Sequence, residues 1–133
     1  MSPETTALIH SVYDAMNRRD IETLRRLANE NPDYVWSNGV DMPEPGVRDG
    51  IEGTAYVEEF FSAFDSNHTT VRDVIDLDQD RAIFVVHHSV RGAVSGAVVE
   101  RDEVHLWRTA DGRLTGLDEF LTLEEAYAAA ALA

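Results

Sequence analysis

The sequence predicts an α+β fold in which helices close the concave side of a curved, mostly antiparallel sheet. Three observations carry that expectation. Apolar residues recur at helical spacing in three segments of the first half of the chain. β-Branched and aromatic residues dominate three runs between Ala82 and Leu121. Asp111-Gly112, between the last two runs, is a strong two-residue hairpin signal. Helices gathered before such a sheet give an α+β architecture with the helices on one face. A sheet curved around them leaves a cone-shaped pocket, which suits a small, largely apolar ligand.

Taken in order, Ser2 is an N-cap and Pro3 a first helical residue for a helix over 4–17. Leu8, Ile9, Val12, Tyr13 and Met16 form its apolar stripe. Asn17–Arg19 interrupts, and Asp20 caps a second helix over 20–28 built on Ile21, Leu24, Leu27 and Ala28. Asn31-Pro32 stops it, and Tyr34–Ser37 reads as a short strand. From Asn38 to Gly53 the chain holds two prolines and four glycines, the composition of a long loop serving as lid or pocket rim. Thr54 caps a third helix over 54–65, with Val57, Phe60, Phe61 and Phe64 at three- and four-residue spacing. Val71–Leu77 is an outer strand, and Ala82–Arg91, Val98–Arg108 and Leu114–Leu121 complete a meander. Thr122-Leu-Glu-Glu125 is a capping box for a terminal helix through Ala126–Ala131.

Bulk properties narrow the chemistry. The 133 residues make one domain, 1–133, with room for a real core. A net charge of −14 disfavours nucleic acid and anionic membranes as partners. No apolar run approaches the ~20 residues that span a bilayer, and no secretion signal is visible, so the expected compartment is the cytoplasm. Cysteine is absent, and all eleven basic residues are arginine. Thiolate chemistry and a lysine Schiff base are thereby excluded. Carboxylates, histidine, tyrosine and hydroxyls remain, with no cofactor or metal expected.

Register gives the first candidates. If Asp111-Gly112 is a two-residue turn, Ala110 opposes Arg113, Leu106 opposes Leu117, Val104 opposes Glu119 and Asp102 opposes Leu121. A turn near Val94–Ser95 adds Phe84, Val86, His88 and Val90 to the same face, with His88 near Glu100 or Asp102. This face has the more continuous apolar set and is expected to point inward. Glu119 then faces an apolar pocket that raises its pKa toward proton-transfer range. His88 acts as acid or base oriented by Asp102, ~10 Å from Glu119. A bulge would swap part of this assignment; with the faces inverted, His105 opposite Asp118 becomes the site. His87 and His88 point to opposite faces and cannot chelate a metal together. Trp107, placed outside beside His105, Arg101 and Phe120, suggests a homodimer interface.

Three stretches carry a family likeness: Tyr13-Asp-Ala-Met-Asn-Arg-Arg-Asp20, Gly50-Ile-Glu-Gly-Thr-Ala-Tyr-Val-Glu-Glu-Phe-Phe61 and Asp111-Gly-Arg-Leu114. Together they resemble the nuclear-transport-factor-2-like superfamily, and within it the SnoaL-like polyketide cyclases. The resemblance implies a cystatin-like roll, a conical pocket and frequent dimers. It places Glu119 where these cyclases and the related limonene-epoxide hydrolases carry a catalytic aspartate. Trp36-Ser-Asn38 resembles the Tyr-X-Asn of those hydrolases, but their Asp-Arg-Asp set is incomplete, with His88 and Val90 at the expected inward positions. Tyr13, Trp36, Asn38, Tyr56 and Phe60 are expected to contact ligand.

Two functions follow from this reading. One is a cofactor-independent acid–base enzyme acting on a small hydrophobic carbonyl or polyketide-like compound. The other is a non-catalytic ligand-binding or dimerisation module. The enzyme requires at least two polar groups converging deep in the pocket, whereas a binding module can have an apolar floor.

Overall fold

The computed structural model describes residues 1–38 and 46–132. Gly39 to Pro45, the centre of the expected lid or rim, lies outside the described residues. Helix α1 spans Pro3–Asn17, with the Ser2 side chain accepting from the Thr5 amide as the sequence suggests. Helix α2 spans Ile21–Glu30, capped by Asp20 on Thr23. Strand β1 (Val35–Asn38) pairs with β2 (Gly46–Asp49), which occupies part of the stretch read as loop.

Helix α3 (Gly50–Ala63) starts four residues before Thr54. Its cap is Asp49, in a reciprocal box with Glu52 that satisfies two otherwise orphaned amides. Strand β3 (Phe64–Asp76) likewise starts before the expected Val71. Its first inward positions, Asn67 and Thr69, are polar and so hid the apolar alternation. They are buried because α1 answers them: Asn67 donates to the Met16 carbonyl, and Asn17 bonds both backbone groups of Thr69.

Strands β4 (Arg81–Gly92), β5 (Val98–Ala110) and β6 (Arg113–Phe120) follow, and α4 (Leu123–Leu132) closes the chain. The six strands run in the order β2-β1-β6-β5-β4-β3. Every neighbouring pair is antiparallel except β1 with β6, so the sheet is mixed rather than purely antiparallel. Helix α1 packs the concave face over Phe84, Val86, Trp107 and Leu117, α2 packs between α1 and α3, and α3 meets β1, β2 and β3. Helix α4 covers part of the convex face, where Ala126 and Ala130 meet Ile83, Val104 and Leu106. The helices therefore lie on both faces, not one. No helix among the described residues is long and apolar enough to cross a membrane.

The β5–β6 hairpin corrects the register. Asp111 (φ 52°) and Gly112 (φ 76°) make the tight turn, and Ala110 opposes Arg113. Thr109 then opposes Leu114 while Arg108 opposes Gly116, so Thr115 is an extra residue. Beyond this bulge every partner moves by one, and Glu119 faces His105 instead of Val104. Gly116 suits the site because Arg108 folds across it to reach Asp118. A Cβ there would lie 2.7 Å from the guanidinium.

In the other hairpin His88 opposes Arg101, not Glu100 or Asp102. The combined result turns β5 over. Glu103, His105 and Trp107 face the concave side with Phe84, His88 and Glu119, while Asp102, Val104 and Leu106 face the convex side. Trp107 is fully buried, which removes the ground on which an outer-face dimer contact was expected.

Candidate active site

Between α1–α3 and the concave face lies a cavity of about 210 Å³. Its helical wall is apolar, formed by Val12, Met16, Leu27, Val57 and Phe60. On its sheet wall the side chains of Glu103, His105 and Glu119 converge, with ligand-type atoms within 4.8 Å of one another.

Each of the three is positioned by a specific neighbour. Parallel pairing of β1 with β6 sets Trp36 beside Leu117 and Asn38 beside Glu119. The indole then donates from Nε1 to Glu119 Oε1 at 2.6 Å. Gly53 of α3 lies against that ring, where a Cβ would sit 3.4 Å from the indole in ordinary contact. On β5, side chains two residues apart share a face, which brings Glu103 Oε1 to 2.9 Å from His105 Nε2. Arg101, two residues further back, donates to Glu103 Oε2 at 3.0 and 2.6 Å. His105 Nε2 lies 3.9 Å from Glu119 Oε2.

Behind the imidazole the chain of hydrogen bonds continues into the core. Tyr13 Oη lies 2.6 Å from His105 Nδ1, and Trp107 Nε1 donates to Tyr13 Oη at 2.8 Å. With neutral His105 every donor finds one acceptor: Trp107 to Tyr13, Tyr13 to Nδ1, and Nε2–H to Glu103. This fixes the tautomer and the ring plane. Burial raises the Tyr13 phenol well above its ordinary value, so it stays a donor.

The electrostatics separate the two carboxylates. Burial is the largest influence on Glu119, and with the charge of Glu103 it outweighs His105 and Trp36, pushing its pKa up to about 6. Burial also raises Glu103, but hydrogen bonds and charges from His105 and Arg101 more than reverse this and hold it at about 2. Burial lowers the His105 imidazole, and Glu103 and Glu119 overcome that to raise it. One carboxylate is thus permanently ionised and the other is poised near neutral pH. Environments that push two acids apart assign them different proton-handling roles.

Among the described residues Glu103, His105 and Glu119 also form a group close enough to hold a metal ion. Such an ion would have to take Nε2 from its bond to Glu103 and share Glu103 with the Arg101 guanidinium.

The residues singled out from sequence are distributed as follows. Glu119, Tyr13, Trp36, Asn38, Tyr56, Phe60 and His88 all line the cavity. Asp102 does not: it is exposed on the convex face, bonded to His87 at 2.8 Å, and cannot orient His88. His88 instead bonds Thr69 at 2.9 Å, and burial lowers its pKa. It opposes Arg101 while Glu119 opposes His105. Four residues separate those partners, ~13 Å along the strand, so His88 and Glu119 are not the ~10 Å pair expected. Asp118, the expected partner of His105, faces away and pairs with Arg108. Sequence pattern alone does not point to Glu103, and it puts His105 on the outer face. Their signal was the alternation Arg101-Glu103-His105-Trp107, because a tryptophan at its end is most simply buried.

A family model described as SnoaL-like domain matches residues 9–117. No curated protein matches the sequence. Among solved structures, the chain is similar to an NTF2-like protein of unknown function from Burkholderia pseudomallei, at 22% identity and TM-score 0.76, covering 94% of this chain and 95% of that one. TerC, co-crystallised with polyporic acid, matches at 19% identity and TM-score 0.75, with 94% and 96% covered. IdmH from Streptomyces antibioticus, described as a candidate polyketide cyclase, matches at 20% identity and TM-score 0.71, with 96% and 98% covered. At these identities the structural likeness concerns the fold.

Proposed function

The chain belongs to the SnoaL-like domain family, and from its site we propose a cofactor-independent acid–base enzyme acting on a small hydrophobic carbonyl compound. The observation that carries this is Glu119. It is a nearly buried carboxylate on the cavity wall, with a pKa of about 6 and a histidine 3.9 Å away. A base of that pKa is ionised at neutral pH yet basic enough to take a proton made acidic by an adjacent carbonyl. Glu103 and His105, locked between Arg101 and Tyr13, hold a fixed charge and an oriented N–H beside it. The convergence of these groups inside an otherwise apolar cavity supports an enzyme over a binding module, which needs no such polar floor. Similarity to described polyketide cyclases supports ring closure by enolate addition as the reaction type.

The test is exchange of α-protons of small aryl and β-dicarbonyl ketones into D2O, followed by NMR. Wild-type protein should accelerate the exchange and Glu119→Gln should not. Dialysis against EDTA should leave the rate unchanged. Loss of the rate, restored by a divalent ion, would assign the Glu103–His105–Glu119 cluster to a metal instead.

A further inference from the structure

Tyr34 is a cavity-lining group that the acid–base scheme above leaves without a task. It precedes β1 by one residue, and its amide bonds back to the Asn31 carbonyl at the end of α2. Its ring stacks on the buried Trp107, with centroids 6.3 Å apart and planes 26° apart, so its direction is fixed by the core. Its hydroxyl makes no hydrogen bond among the described residues, unlike that of Tyr13, which is engaged on both sides. Asn38, opposite Glu119 in the sheet, has a buried carboxamide oxygen that also lacks a partner among the described residues. The buried Asn38 oxygen is costly to leave unmet unless something occupies the cavity and meets it, whereas the hydroxyl of the half-buried Tyr34 stays open to an incoming acceptor.

We infer that the Tyr34 hydroxyl receives the carbonyl oxygen of the substrate while Glu119 removes the neighbouring proton. The inference rests on the acid–base reading of Glu119 and extends it to the substrate carbonyl. A cavity of about 150 Å³ holds one benzene, so 210 Å³ admits a single aryl ketone as a probe. In the step, the α-C–H bond breaks and its proton passes to Glu119. The C–H electron pair forms the C=C bond, and the carbonyl π pair moves onto oxygen, where the Tyr34 O–H meets the new charge. The enolate C=C pair then bonds to the carbon of a second carbonyl as the first C=O re-forms, and the new alkoxide takes the proton back from Glu119, closing a ring. Burial, with the nearby charges of Glu119 and Asp118, raises the Tyr34 phenol, so it is a donor throughout the working range.

Acetophenone and isopropylbenzene, similar in shape and differing in the carbonyl, test this by titration. Wild type should bind acetophenone more tightly. Tyr34→Phe, which keeps the stacking ring, should lose about five- to tenfold in acetophenone affinity, the weight of one hydrogen bond. Its isopropylbenzene affinity should be unchanged. On wild type alone, the carbonyl carbon of ¹³C-labelled acetophenone should shift downfield on binding, the sign of a donated hydrogen bond. Equal behaviour of the two probes in both proteins, no carbonyl shift, or no acetophenone binding to wild type would overturn the inference. The Glu119 reading fails separately: acetophenone held by Tyr34 without α-proton exchange leaves the donor in place and removes the base. Exchange that depends on Glu119 but ignores Tyr34→Phe does the reverse.

Discussion

Two histidines of this sheet each stand between two carboxylates, and they differ in almost everything else. His87, on the convex face, bonds Asp102 at 2.8 Å and Glu100 at 3.1 Å, and those side chains are 72% and 62% exposed. His105, on the concave face, bonds Glu103 at 2.9 Å and lies 3.9 Å from Glu119, with carboxylates only 6% and 12% exposed. The contacts of His87 are as short as those of His105. Water screens the first cluster, so its charges interact weakly and cost little to separate. Around His105 there is almost no water, and the same charges move one carboxylate to about 2 and the other to about 6. Residue identity makes a cluster, and exclusion of water gives it chemistry.

The comparison is sharpest at Glu119. Glu119→Gln keeps an acceptor for the Trp36 indole and the same volume, so the fold should survive. Turnover, read as α-proton exchange, should fall by ~10²–10⁴, the usual loss when a general base is removed. The next largest effect belongs to Glu103, whose charge is met by both His105 and Arg101. Glu103→Gln should cost about 2 kcal/mol in urea unfolding, below the about 3–5 kcal/mol of a fully buried pair because Arg101 is 36% exposed. An unchanged midpoint would place the buried cluster on the same footing as the convex one.

The pH dependence separates the two carboxylates of the concave cluster. Activity should rise with pH along a single limb near 6, as Glu119 ionises. Trp36→Phe removes the N–H that favours the anion, so the limb should move upward. Turnover should then drop a few-fold at pH 6 and recover by pH 8. Stability runs the other way for this group. Its folded pKa is raised from 4.5, so the stability held in its protonated form is lost as pH rises from about 4.5 through 6. Glu103 is depressed from 4.5, and its contribution, full above that value, is lost as pH falls toward about 2.

Much of this arrangement is legible in the sequence, and the largest miss, the facing of β5, has a physical source. The α1 and α2 stripes, their caps at Ser2 and Asp20, and the Asp111-Gly112 turn are local signals, and each appears where residue chemistry places it. The inward set on β4 was also legible, because Phe84, Val86 and Val90 alternate cleanly. β5 was not, because both of its faces are buried: Trp107 lies under α1 and Leu106 under α4. Alternation cannot rank two apolar faces, and two one-residue differences in register, the Thr115 bulge toward β6 and the pairing of His88 with Arg101 toward β4, reverse the strand. The bulge brings His105 to Glu119, and the β4 register sets Asp102 beside His87 on the outer face. Glu119 keeps its place because it lies on the bulged strand itself, beside Leu117, whichever way β5 faces.

The smallest expected effect is on the convex face. His87→Gln or Asp102→Asn removes a histidine–carboxylate contact as short as any in the cavity, yet neither variant should change turnover or the urea midpoint measurably. The hydrogen bond that His87 donates to Asp102 raises its pKa, and the one to Glu100 adds to this. A group raised on folding contributes stability below its unfolded pKa and loses it as pH rises through the folded one. Any contribution therefore belongs to mildly acidic solution and should fade above neutrality. NMR titration of the His87 ring should show the raised value in wild type, a drop toward the ordinary one in Asp102→Asn, and convergence of the two in high salt. His105 should show no such salt dependence. If salt moved His105 as readily as His87, water would have to reach Glu103 and Glu119, and the separation of their pKa values would collapse with it.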